Sequence, residues 1–350
     1  MDVSDQGGVP RARIGDEQRV TTLELFFDLV FVFALTQVTG FLSNHLTFFT
    51  AMAAMFVASL AVPSAFGHYG VLFGFAYLVV VQTLQVLLYA LATGDTPEQR
   101  MAILRLAPGF VGGPALLIVA GFLDGYAQGA LWAGALAVGY GVAYVRGVSA
   151  FRIHAGHFAE RHGLIIIIAL GESIVAIGVG ASRLEIGAGV VAAAVLGIAL
   201  AAALWWAYFD LVMLTAERRL SAARGEERAR LARDTYTYLH LPTVAGIIFA
   251  ALGIEQTLAH VGEPLGTIPA IALYGGVALY LLGHNAFRLR DEGSVSVPRL
   301  VVMVVCLALI PVGVSVSSIL TLAVLTVLLC GLAAFETATS REFRRELRAR

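Results

Sequence analysis

Carboxylates inside apolar segments are the residues of this sequence that could do chemistry. Glu24 and Asp28 lie four residues apart in the segment 23–35, LELFFDLVFVFAL, so a helix would place both on one face. A charged acid in membrane hydrocarbon costs about 2.5–3.5 kcal/mol, so such an acid is expected to face protein, water or a ligand. The spacing therefore favours a site for a proton or a cation, or the wall of a pore. An ion pair between Glu24 and Arg19 at the membrane rim is the structural alternative.

Two further acids interrupt apolar segments later in the chain. Glu172, followed by Ser173, lies about half-way along an apolar run and needs a polar partner there. Asp210 ends the run LWWAYFD, and Trp206 lies one helical turn before it on the same predicted face. An aromatic ring beside a carboxylate can bind an organic cation. An aromatic belt at the membrane interface explains the same run without a ligand.

Histidines give a second set of chemical groups. His154, His157 and Glu160 have a spacing that metal ligands can use, but a metal site needs further ligands. A solvated start of a helix at the membrane interface is the favoured explanation of these three residues, so we predict no metal. His240 lies near Pro242 and could respond to pH, or it could make a buried polar contact.

The remaining candidates lie near the ends of predicted membrane spans. They form a second tier, namely Gln37, Arg161, Glu255, His284 and Asn285. The sequence contains no Walker-type phosphate loop, no Gly-x-Ser-x-Gly nucleophile elbow and no His-Glu-x-x-His zinc motif. It therefore predicts no cofactor, and it favours a protein that is not an enzyme.

The elements that must position these groups are membrane helices. The chain has 350 residues, of which 59% are hydrophobic and 13% charged, and a soluble domain of this length could not cover so much apolar surface. The sequence therefore predicts an all-α, polytopic transmembrane helical bundle of about 11 helices. The predicted spans are 22–43, 46–66, 69–92, 101–122, 128–148, 163–182, 187–214, 236–260, 267–288, 299–316 and 318–337.

We expect one membrane domain over residues 21–340, preceded by a cytoplasmic segment 1–20 and followed by a basic tail 341–350. The first span has the character of a retained anchor rather than a removed signal peptide. The net charge of −1 gives no reason to expect a nucleic-acid partner. The expected partners are the lipid bilayer and a small solute or ion, and the sequence is compatible with an oligomer.

Arginine positions predict the orientation of the bundle. They concentrate in five regions, which the positive-inside rule places in the cytoplasm: 1–20, 146–161, 215–235, 288–299 and 341–350. Two predicted spans separate each basic region from the next after residue 149. Five predicted spans precede that residue, although an even number is required. Either one segment does not cross, or the N-terminus lies outside, or a helix is absent, and the weakest crossing is 46–66.

Four motifs in order resemble the bacterial low temperature requirement A proteins. They are Glu24-Leu-Phe-Phe-Asp28 with Thr36-Gln37, Glu160-Arg161-His-Gly-Leu with Leu170-Gly171-Glu172-Ser173, Trp205-Trp206-Ala-Tyr-Phe-Asp210, and Tyr238-Leu-His240-Leu-Pro242. The resemblance implies a multi-pass protein of the bacterial cytoplasmic membrane, and it implies no particular reaction. Compared with the family pattern, we expect this chain to be shortened by about one early helix and loop, after His45.

The predicted function is that of a transporter or channel for a small solute or ion. Asp28, Glu172 and Asp210 would bind the ion or proton, and His240 would add pH dependence. A membrane stress sensor or structural partner is the alternative. A membrane-embedded, metal-assisted enzyme that uses the histidines around Glu160 is a further one.

Overall fold

The computed structural model describes residues 68–83, 86, 97–146, 155–182 and 184–339. Several predicted sites lie outside this part of the chain, namely Glu24, Asp28, Gln37 and His154, and so do the first two predicted spans. The side chains of His157 and Glu172 also lie outside it, although the backbone of both residues is helical.

Nine continuous helices make up almost all of the described residues, which confirms the all-α class. The helices are α1 (Gly70–Ala76, continued by the π-helical turns Tyr77–Gln82), α2 (Pro97–Ala120), α3 (Gly125–Arg146), α4 (Ala155–Ser182), α5 (Ala188–Ala222), α6 (Gly225–Ala259), α7 (Thr267–Glu292), α8 (Val297–Ser315) and α9 (Ser318–Thr339). The predicted count of about eleven is not confirmed, because the two spans that would complete it precede the described residues.

The loop expected at 215–235 is helical, which corrects the sequence interpretation of that segment. Its charges suggested a loop, but α5 continues to Ala222 and α6 begins at Gly225. The guanidinium of Arg228 donates to the carbonyls of Ala223 and Ser221, at 2.8 and 3.1 Å, and so satisfies the end of α5. The polar residues therefore extend two membrane helices instead of interrupting them.

Among the described residues, five helices, α5 to α9, are long and apolar enough to cross a membrane. Their outward surfaces carry large apolar side chains, such as Val301, Val304 and Leu307 on α8, as expected for contact with lipid. Together with the family resemblance, these helices support an integral membrane protein.

Consecutive helices run antiparallel and pack closely at glycines. A Cβ at Gly246 of α6 would lie 2.5 Å from the carbonyl oxygen of Gly276 on α7, so the two backbones touch there. Gly121 at the end of α2 is equally close to Val71 at the start of α1. The alternation places the C-terminal ends of α3, α5, α7 and α9 and the N-terminal ends of α4, α6 and α8 on one side. We call this side the Arg-rich end and the opposite side the far end.

The same alternation places residue 68 at the far end, because α1 begins there. The three helices α1 to α3 then lead to the Arg-rich end at Arg146. The described helices do not resolve the conflict in the predicted number of crossings, and the suspected shortened stretch follows His45. Both questions lie outside the described residues.

Three of the long helices contain a π-helical segment: Tyr208–Val212 in α5, Ala232–Tyr238 in α6 and Ile271–Gly275 in α7. Wider π turns change the direction of the side chains that follow, and they are frequent at functional sites. The first two segments carry Tyr208, Asp210 and Tyr236.

Candidate functional site

Arg299, in the first turn of α8, is the centre of a buried polar cluster. Its Nε and Nη2 donate to the two carboxylate oxygens of Glu336 on α9, at 2.7 and 2.8 Å. The two side chains are only 7% and 13% exposed. Nη2 also donates to the carbonyl of Ala207 on α5, at 3.0 Å. This two-pronged, charge-assisted pairing is the strongest geometry available to an arginine and a carboxylate.

The hydrogen bond from Arg299 to His284 fixes the tautomer of the histidine. Nη1 of Arg299 lies 2.6 Å from Nδ1 of His284 on α7. A guanidinium can only donate, so Nδ1 must be the acceptor and the ring proton must be on Nε2. Nε2 is buried and has no hydrogen-bond partner among the described residues. As long as this bond lasts, His284 is a neutral N–H donor rather than a proton carrier.

A second polar contact joins α5 to α6 beside this cluster. The hydroxyl of Tyr208 and Nε2 of His240 are 2.7 Å apart, and both side chains are buried. The ring of His240 stacks on Tyr236 and meets His162 of α4 edge-on, with ring centres 5.2 Å apart. The ring of Tyr208 lies 5.9 Å from that of His284, so the two contacts form one cluster.

We call this cluster the polar layer, because its members share one depth. They are His162 on α4, Tyr208 on α5, His240 on α6, His284 on α7, Arg299 on α8 and Glu336 on α9. Each lies about 16 to 20 residues from the far end of its helix, which corresponds to about 24–30 Å. The hydrocarbon core of a bilayer is about 30 Å thick. A bilayer whose one boundary lies at the far end of these helices would therefore have its other boundary near the polar layer.

A cavity of about 510 Å³ opens beside the polar layer. His284, Arg299 and Glu336 line it, together with the apolar side chains of Val212, Phe287 and Phe335, while Tyr208 and His240 are not part of its wall. His284 lines the cavity and its ring also lies beside Tyr208, so it connects the cavity wall with the Tyr208–His240 pair.

Three of the predicted residues have structural partners. The hydroxyl of Ser173 is buried, 3.5 Å from the carbonyl of Ala169. The indole of Trp206 donates to Thr337, at 3.1 Å, and is partly exposed. The side chain of Asn285 accepts from the backbone N–H of Ser296, at 2.8 Å, and so holds the start of α8.

The charged candidates occupy different depths. Asp210 is buried in the π-helical segment of α5, and it has polar partners. Glu255 is half-buried near the far end of α6, where we expected an interfacial acid, and Arg161 is exposed. Glu160 is half-buried in the first turns of α4.

No group of three His, Cys, Asp or Glu side chains that could hold a metal occurs in the described part of the chain. His154 and the side chain of His157 lie outside that part, so the prediction about metal binding at this segment stays a prediction.

Sequence reasoning missed the centre of the site. Arg299 was counted only as one of the basic residues that set the orientation, and Glu336 was not considered. Their contact joins residues 37 positions apart, and it depends on how α8 packs against α9. His240 and His284 were identified as candidates, and both lie in the polar layer.

The family model for the bacterial low temperature requirement A protein matches residues 42–334, which is most of the chain. The chain belongs to this family. The resemblance predicted from the four motifs is confirmed, and with it the assignment as a multi-pass membrane protein. The chain is also similar to an uncharacterized protein of Rhizobium meliloti (strain 1021), with 32% identity over 77% of this chain and 76% of that protein. No solved structure matches this chain.

Proposed function

We propose that this protein is a transporter or channel that moves a small solute or ion across the bacterial cytoplasmic membrane. The observation that supports it most is the polar layer, in which six helices bring buried or partly buried polar side chains to a similar depth beside a cavity. Spanning a bilayer does not require such residues, and buried ionisable groups in membrane helices commonly mark the paths of ions and solutes.

The cavity would give the solute access from the Arg-rich end, which we place in the cytoplasm by the positive-inside rule. Further along the same bundle, Glu172 lies about ten residues before the far end of α4. That distance corresponds to about 15 Å, or half the thickness of the hydrocarbon core. An acid at this depth would serve a solute or proton that passes beyond the polar layer, and Asp28 would contribute a second one.

A structural or sensing role is the second candidate. The contacts of Arg299 favour it, because the guanidinium is bound by Glu336, His284 and a backbone carbonyl, as in a cluster that only holds helices together. In that case the cavity would not carry a solute across the membrane.

Flux into liposomes tests the proposal. Purified protein would be sealed into vesicles with a pH-sensitive dye inside, and monovalent cations and small organic solutes would be varied outside. We expect flux in the wild type, and loss of flux in Glu172→Gln and Asp28→Asn. Glu255→Gln is the matched control, because it neutralises an acid near the far interface and should keep the flux.

Absence of flux under every gradient would refute transport and favour the structural role. Full flux in both Glu172→Gln and Asp28→Asn would keep transport but remove the intramembrane acids from its mechanism.

A further inference from the structure

Arg299 presents an edge that already holds a carboxylate. Nε and Nη2 contact the two oxygens of Glu336 at 2.7 and 2.8 Å, which is the arrangement that a guanidinium offers to any carboxylate. Both partners line the cavity. A solute that enters the cavity therefore reaches this edge of Arg299 directly. Its carboxylate would have the same shape as the carboxylate of Glu336, which now occupies the edge.

The surroundings of Arg299 are positive before Glu336 is counted. Arg299 lies in the first turn of α8, a helix of 19 residues, where backbone N–H groups have no partner within the helix. Such a helix end carries about half a positive elementary charge. The side chain of Ser296 makes no capping hydrogen bond, and Asn285 accepts only from the N–H of Ser296 itself. The anion site is thus built by α7 and α8, whereas the anion is supplied by α9.

The other charged side chains around the cavity also have partners, and they are more exposed than Arg299. Arg288 pairs with Glu292 at 2.9 Å, and both side chains are more than one third exposed. Asp291 accepts a hydrogen bond from Thr235 at 2.8 Å. The buried pair of Arg299 and Glu336 is therefore the place where a ligand's charge would meet the cavity most strongly, because screening by water is weakest there.

Apolar side chains form part of the wall of the cavity, beside the polar and charged ones. Val212, Phe287 and Phe335 offer a surface for a hydrocarbon chain, and about 510 Å³ falls within the usual range for pockets that bind small molecules. We propose that this cavity binds a small monocarboxylate with an apolar tail, whose carboxylate takes the place of Glu336 on Arg299.

The exchange would couple binding to a movement of α9. While Glu336 is bound, Arg299 ties α9 to α8, α7 and α5. A ligand carboxylate keeps the guanidinium satisfied and releases α9 from this link. Identifying the ligand as the transported solute rests on the function proposed above, whereas the binding site itself does not.

The test measures binding to the purified full-length protein in detergent, by calorimetry, with 4-methylpentanoate as the probe. We expect the acid to bind the wild type, and the neutral 4-methylpentanamide not to bind. Glu336→Gln removes the competing carboxylate and should bind the acid about tenfold more tightly. Arg299→Gln should not bind it. Arg230→Gln is the matched control, because it removes an exposed arginine that does not line the cavity and should bind the acid as the wild type does.

Three results would overturn the proposal. The first is no binding of the acid to either the wild type or Glu336→Gln, and this result does not depend on whether Arg299→Gln folds. The second is binding to Glu336→Gln alone, which would make Glu336 a permanent structural partner. The third is equal binding of the acid and the amide, which would leave only an apolar cavity.

Flux of 4-methylpentanoate in vesicles separates this inference from the proposed function. Binding of the acid without flux would support the carboxylate site and refute transport of this solute. Flux of an inorganic ion without binding of the acid would support the proposed transport and refute the carboxylate site.

Discussion

Replacing Arg299 by Met should be the most destabilising single change in the polar layer. The variant keeps the volume of the side chain approximately, but it leaves the carboxylate of Glu336 buried without its guanidinium. Breaking a buried ion pair by removing one partner costs about 3–5 kcal/mol. The carbonyl of Ala207 and Nδ1 of His284 also lose a donor, and each buried acceptor left in this way adds about 1–3 kcal/mol at most. We therefore expect the free energy of unfolding to fall by at least 3 kcal/mol, the lower end of that range.

An exposed pair of the same length provides the control. Arg230 and Glu226 are also 2.7 Å apart, but both side chains are 61% exposed. Such pairs contribute about 0–1 kcal/mol, so Arg230→Gln should unfold almost as the wild type does. The double variant Arg299→Met with Glu336→Leu should recover most of the loss, because an apolar pair can replace a buried ion pair at little cost.

The assay is reversible unfolding in mixed micelles, followed by helical circular dichroism, for the wild type and the three variants. If the free energy of unfolding falls by nearly the same amount in Arg299→Met and Arg230→Gln, to within about 1 kcal/mol, the structure would be contradicted. Such a result would mean that the pair of Arg299 and Glu336 is exposed to water. A double variant that is as unstable as Arg299→Met would show that the contacts to Ala207 and His284 matter more than the charge.

Two further predictions concern the packing around the layer. Gly246→Ala places a methyl group 2.5 Å from the carbonyl oxygen of Gly276 and should lower the free energy of unfolding by about 1–3 kcal/mol. The control is Gly331→Ala, whose new methyl group meets nothing within 4 Å and should leave the stability unchanged. Equal stability of the two variants in the same unfolding assay would contradict the close contact of α6 with α7. Asn285→Ala leaves the buried N–H of Ser296 without its acceptor and should lower the free energy of unfolding by about 1–3 kcal/mol. Amide hydrogen exchange at the start of α8 should become faster. Unchanged exchange there would show that Asn285 does not hold the start of α8.

Apolar runs predicted the helices well because lipid imposes the same rule on every span. The described helices from α1 onward correspond to predicted spans, with α8 and α9 matching to within about two residues at each end. The segment 215–235 was predicted poorly for a physical reason. Hydropathy detects where a helix leaves hydrocarbon, but it does not detect where the helix stops. Charged residues such as Arg228 continue a helix in water as readily as they end one.

The candidate site was harder to predict because its residues come from different helices. His240 and His284 could be selected as polar residues inside apolar runs. Arg299 could not be distinguished from an arginine that marks orientation, because both occur at span ends. Its partner Glu336 is a single acid near the end of α9, with no local pattern. Only the packing of α8 against α9 turns these two ordinary residues into a buried pair.

The common depth of the polar layer also sets how the protein matches the membrane around it. Between the layer and the far end, the bundle offers about 24–30 Å of mainly apolar surface, close to the thickness of an average bilayer core. A core that is thicker by a few Å would draw Arg299 and Glu336 into hydrocarbon, or it would have to thin around the bundle, at a fraction of a kcal/mol per Å. The same pair links α9 to its neighbours. The chain length of the surrounding lipids therefore influences how stable that link is.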